Sequence, residues 1–101
     1  MKIKYLAEAY GDLEAIEFYI SQDNPEEGSK QVNRILDAVL RLQDFPYSGS
    51  TVPKAIMPMM EFRRIIVDNY IVFYRVIGEE VYIHRILHGK RDCNKVFDRL
   101  N

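Results

Sequence analysis

The sequence predicts an α+β fold: an N-terminal strand, an antiparallel helical hairpin packed on a twisted antiparallel sheet of about four strands, and a short C-terminal helix. Three observations carry this prediction. Apolar residues recur at helical spacing in two consecutive segments before residue 44. Alternation with period two replaces that spacing from Phe62 to His88. Two turn-forming dipeptides, Asp68-Asn69 and Gly78-Glu79, divide the alternating stretch into three strands. At 101 residues the chain reads as one domain, residues 1–101, with a single modest core.

Met1 to Leu6 sets Ile3 and Tyr5 between lysines, a short strand pattern. From about Ala9 to Ser21, Ala9, Leu13, Ile16 and Ile20 form one helical stripe, with Asp12, Glu14 and Glu17 off it. Asp23-Asn24-Pro25-Glu26-Glu27 then starts a second helix. Asn24 can accept from a first-turn N–H, Pro25 suits the first helical position, and Glu27 completes a capping-box-like spacing. Val32, Ile35, Leu36, Val39, Leu40 and Leu42 supply its apolar face to about Gln43, and the short link makes the pair an antiparallel hairpin. Phe45-Pro46 ends it. The stretch to Pro58, with Gly49 and Pro53, reads as a loop of about a dozen residues, a length often tied to function. Asp92 to Leu100 forms the last helix, with Val96, Phe97 and Leu100 as its apolar face.

Two-residue turns at both dipeptides fix a register, because strand side chains alternate between faces. Arg63, Ile65, Val67, Tyr70, Val72, Tyr74, Val76, Val81, Ile83, Arg85 and Leu87 then share the face expected to carry the helices. Phe62, Arg64, Ile66, Ile71, Phe73, Arg75, Ile77, Tyr82, His84, Ile86 and His88 share the other. That second face mixes large apolar residues with cations, which makes it a candidate functional surface rather than a plain solvent face.

Composition narrows the chemistry. A net charge of −1 excludes a generic nucleic-acid binder, yet six arginines, two lysines and both histidines fall from Phe62 onward. The apolar runs are far too short to span a bilayer. The single cysteine, Cys93, excludes an internal disulfide and fits a reducing cytoplasm. No phosphate loop, dinucleotide fingerprint or closely spaced Cys/His set is present, so no cofactor or metal is expected. His84 and His88, four apart on a strand, stand roughly 13 Å apart and cannot chelate one metal unaided.

The candidate site residues are Arg64, Arg75, His88 and Arg91. Arginine forks bind phosphate oxygens, and Arg64 and Arg75 lie on the mixed face. His88 can carry protons near neutral pH. Arg91 follows a glycine at the strand exit. Each has a plainer alternative: ion pairs with Glu61, Glu79 or Glu80 for the strand arginines, a satisfied strand-end histidine, and a solvated arginine.

The ordered set KIKYLAEAYGDLEAIEFYI, DNPEEGSK, LQDFPYSGS, FRRIIVDNYIVFYRV and IHRILHGKRD resembles the RelE/ParE superfamily of type II toxins, the growth-inhibiting halves of bacterial toxin–antitoxin modules. The resemblance spans nearly the whole chain. It implies a strand, a helical hairpin and three further strands, a cytoplasmic location, and a cognate antitoxin that wraps the toxin. Two target classes follow from it. RelE-like members cut mRNA on the ribosome, whereas ParE-like members poison DNA gyrase without a known catalytic set. On the RelE-like pattern Arg91 falls on the phosphate-stabilising arginine and Arg64 on a basic strand position. Phe97, however, stands in place of a tyrosine, and Ile71 and Phe62 replace further cations. The YI–DNP–RILDAVLRLQDFP run and the LHGKRD ending look more ParE-like. The expectation is therefore a gyrase inhibitor, with the loop from Phe45 to Pro58 or the last helix as its docking surface. The alternatives are a ribosome-dependent mRNA endoribonuclease using Arg64, Arg75, His88 and Arg91, and an inactive toxin-like module that binds an antitoxin.

Overall fold

The structure, a computed structural model, describes residues 1–53 and 61–92. The chain runs β1 (Lys2–Tyr5), α1 (Ala7–Ser21), α2 (Pro25–Leu40), a 3-10 turn (Arg41–Gln43), β2 (Ser50–Thr51), β3 (Arg63–Val67), β4 (Tyr70–Ile77) and β5 (Glu80–His88). The α+β architecture expected from the sequence is present: two helices pack on one sheet. In detail, the described sheet has five strands in the order β1-β5-β4-β3-β2. It is mixed rather than wholly antiparallel, since β1 pairs parallel with β5. The expected C-terminal helix, with Val96, Phe97 and Leu100, lies outside the described residues, as do Cys93 and Pro58.

Local chemistry explains the boundaries. Asn24 Oδ1 accepts from the Glu27 N–H at 3.3 Å, with Pro25 in the first turn. Val67 pairs with Tyr70 and Ile77 with Glu80, so both hairpin turns hold two residues. Gly78 takes φ +60°, a conformation a glycine adopts without steric cost. Asp68 takes φ +55°, which is costly for a residue with a Cβ. Its carboxylate repays part of that cost by accepting from Arg34 Nε at 2.8 Å and Gln31 Nε2 at 3.0 Å, which ties the first hairpin to α2.

The main core lies between the helices and one face of the sheet. Ala9, Leu13 and Ile16 of α1, Ile35 and Val39 of α2, and Leu42 meet Tyr70, Val72, Tyr74, Val81, Ile83 and Ile86. Each fully buried aliphatic side chain contributes about 1.5–3 kcal/mol. The apolar face expected for α2 is narrower than the sequence implies. Leu36 and Leu40 are 36% and 56% exposed, because α2 turns Ile35, Ala38 and Val39 inward.

A register change in β5 corrects the expected faces. Tyr74 pairs with Ile83 but Phe73 pairs with Arg85, so His84 is an extra residue. From Ile86 onward the side chains change side. Ile86 joins the helix-side core, and His88 meets Tyr70 edge-on there. Leu87 moves to the outer face with Val52 and Phe73. Arg85 reaches α1, where Asp12 accepts from Nε at 2.8 Å and Nη2 at 3.0 Å. Asp12 also accepts the Ile86 N–H at 2.9 Å, so one carboxylate satisfies the strand just past the irregularity.

Tyr74 pins the loop before β2. Its hydroxyl donates to the Pro46 carbonyl at 2.8 Å and accepts the Gly49 N–H at 3.0 Å. A Cβ at Gly49 would lie 2.5 Å from that hydroxyl and 2.6 Å from the Arg64 carbonyl, so only glycine fits. Tyr74→Phe should therefore cost about 1–3 kcal/mol in urea unfolding, because two backbone groups lose their partner.

The Arg34 and Gln31 bonds hold the Asp68 carboxyl below its ordinary pKa. Their contribution is present above the unfolded pKa and is lost as pH falls through the folded one. Asn tolerates the same backbone conformation. Asp68→Asn should lower the urea midpoint at pH 7, and the two proteins should converge in acid.

Candidate functional site

The outer face of the sheet carries a small apolar cluster of Val52, Phe73 and Leu87, flanked by Phe62 and Ile71. Cations border it. Arg64 stands between Ser50 of β2 and Phe73 of β4. Arg75, opposite Tyr82, sets its guanidinium 5.9 Å from the Phe62 ring centroid. Phe62 in turn meets His84 edge-on at 4.8 Å. Burial, and then the nearby Arg75 charge, hold the His84 pKa below its ordinary value. Arg64 and Arg75 make no ion pair among the described residues. Glu80, one of their anticipated partners, is instead bound by the Tyr82 hydroxyl and by Lys4 at 3.2 Å.

His88 and Arg91 lie elsewhere. The His88 Nδ1 accepts the backbone N–H groups of Lys90 and Arg91, each at 3.2 Å, which places the proton of the neutral ring on Nε2. Asp92 closes the same turn: its carboxylate accepts the His88 N–H and its own N–H donates to the His88 carbonyl, both at 3.0 Å. Arg91 stacks on Tyr19 of α1, 4.5 Å from the ring centroid. The sheet therefore separates the four candidates into two pairs. Arg64 and Arg75 share the outer face with His84, while His88 and Arg91 stand on the helical side. Among the described residues, no three His, Cys, Asp or Glu side chains gather where they could hold a metal.

Two residues at the site escaped the sequence reading. Arg41, in the turn after α2, shares a groove with Arg64, Leu42, Phe45, Ile65 and Ile66. Its only signal was a position just past the helix end. Asp12, which braces Arg85, looked like one more off-stripe acid of α1.

Comparison with known families matches residues 3–93 to the ParE toxin of the type II toxin–antitoxin system parDE. The chain belongs to the ParE toxin family. A solved structure described as the chromosomal ParDE TA system from P. aeruginosa is similar, with a TM-score of 0.69 and 29% identity. The alignment covers 87% of this chain and 95% of that one. Comparison with curated protein sequences gives no match. This ParE-type toxin thus shares both sequence pattern and architecture with its family over most of its length. Among its described residues, no helix is long and apolar enough to cross a membrane.

The packing of Arg75 near His84 makes a titration prediction. Because the neutral ring is favoured in the fold, the His84 contribution to stability is present above its ordinary pKa and is lost as pH falls through the folded value. Arg75→Leu removes a positive neighbour. NMR titration of His84 should show its pKa rising in that variant while staying below the ordinary value, since burial remains.

Proposed function

We propose that this ParE-type toxin arrests growth by inhibiting DNA gyrase through protein contacts, in the cytoplasm, until a cognate antitoxin sequesters it. The observation that carries this reading is the division of Arg64 and Arg75 from His88 and Arg91 by the sheet. An RNA-cleaving centre needs its proton carrier and phosphate-binding cations within hydrogen-bond reach of one scissile group. A split set does not meet that need, and the His88 Nδ1 is already occupied by two turn amides. A protein-contact mechanism asks only for exposed surface. Tyr47, with Arg63 packed 5.0 Å from its ring centroid, offers this at the start of the loop anticipated as a docking surface.

The test pairs two assays on the purified toxin. Gyrase supercoiling should fall and cleaved DNA should accumulate, while mRNA in a ribosome-containing extract stays intact. Arg91→Ala and His88→Ala should change gyrase inhibition by less than about threefold, as expected of residues outside the contact surface. Cleaved mRNA that disappears in either variant would sink the gyrase reading in favour of an endoribonuclease. Inactivity in both assays, with antitoxin binding retained, would mark the chain as an inactive toxin-like module.

A further inference from the structure

Among the described residues, only part of β3 is covered on its outer edge. β2 contributes two residues, Ser50 and Thr51, opposite Arg64 and Arg63. The Val52 N–H donates to the Phe62 carbonyl at 2.8 Å, so Phe62 and Arg64 direct their backbone groups away from β4. By period two, Ile66 directs its N–H and carbonyl the same way. The hairpin gives the same assignment. Val67 and Tyr70 flank a two-residue turn and exchange hydrogen bonds, so the next pair, Ile66 and Ile71, does not. Beyond β2, therefore, both backbone groups of Ile66 face outward.

Natural sheets protect such an edge with charged side chains, proline or a bulge. Arg63 and Arg64 serve this where β2 already pairs, but none of these devices occurs from Ile65 to Val67, and the Ile66 side chain is 71% exposed. The groove beside it has a definite chemistry. Leu42, Phe45, Ile65 and Ile66 provide apolar walls, and Arg41 and Arg64 provide the charges. Neither arginine has an ion pair among the described residues. Further along, towards the Asp68 turn, the lining is mixed: Asp37 and Asp44 stand with Arg41 and with the Arg34–Asp68 pair.

We infer that the free edge of β3 at Ile66 is a strand-addition site for an extended, acidic segment of a partner protein. The incoming backbone pairs with the Ile66 N–H and carbonyl. Its side chains alternate between the apolar wall at Leu42 and Ile65 and the outer side at Arg64 and Ile66. Its carboxylates lie towards Arg64, away from Asp37 and Asp44. A second copy of this chain is the poorer occupant, because edge-to-edge pairing through Ile66 would bring the uncompensated arginines of both copies together. The site depends on the fold alone and stands whatever the toxin's target.

The experiment uses the full chain and two synthetic peptides, one alternating valine with glutamate and one alternating valine with lysine. Amide exchange followed by NMR should show Ile66 slowed by the glutamate peptide and unaffected by the lysine peptide. Ile66→Pro removes a donor that the hairpin does not use and should abolish binding. N-methylation of alternate peptide amides should do the same without altering the protein. Arg64→Glu should weaken the glutamate peptide by roughly tenfold, as loss and reversal of an exposed charge pair would. Equal binding of both peptides, unchanged exchange at Ile66 under saturation, or peptide-free dimerisation lost in Ile66→Pro would each overturn the proposal.

Discussion

The extra residue that β5 carries at His84 governs the rest of this molecule. Before it, Val81 and Ile83 face the helices; after it, Ile86 and His88 do, and Leu87 goes to the opposite face. A ladder with an additional residue leaves backbone groups unpaired, and an unpaired buried amide costs about 1–3 kcal/mol. Asp12 removes that cost by taking the Ile86 N–H while its two oxygens engage the Arg85 fork. Asp12 and Arg85 are largely shielded, with side chains 15% and 31% exposed. Helix α1 is thereby locked to the one strand where the sheet departs from regularity.

That irregularity also decides the layout of the charged residues. An unbroken β5 would have put His84 and His88 on one face with Arg64 and Arg75, a single cationic surface. Instead His84 alone stays with the strand arginines, beside Phe62, and His88 becomes the hub of the turn that ends at Asp92. The same residue types thus serve two unrelated tasks. One set borders the buried apolar cluster on the outer face of the sheet, and the other holds together the chain's exit from β5.

Much of this was legible from local chemistry. Asn24-Pro25 announced the second helix, and Asp68-Asn69 and Gly78-Glu79 announced turns of the correct length. The three main strands and the helix-facing set from Ile65 to Ile83 followed from alternation. What escaped was set by tertiary contact. Nothing in Ile83-His84-Arg85 signals a bulge, because its stabilising acid lies 73 residues earlier in the chain. The exposure of Leu36 and Leu40 likewise depends on how α2 rolls against the sheet. The direction of β1 could not be read from four residues, since its partner is the last strand rather than the next. Among the candidate site residues, Arg64 and Arg75 share a face as alternation required, and His88 does not because it follows the bulge.

The parallel pairing of β1 with β5 joins Lys2 to Glu80, nearly the full span of the described chain. Synthesis delivers β1 and α1 first and β5 last. Until β5 has emerged, β1 has no neighbour, Asp12 has no guanidinium, and the helix-side core lacks Val81, Ile83 and Ile86. A nascent chain therefore cannot complete its sheet in stages, and long-range pairing of this kind folds slowly. The first strand made is thus the one that waits longest for its neighbour.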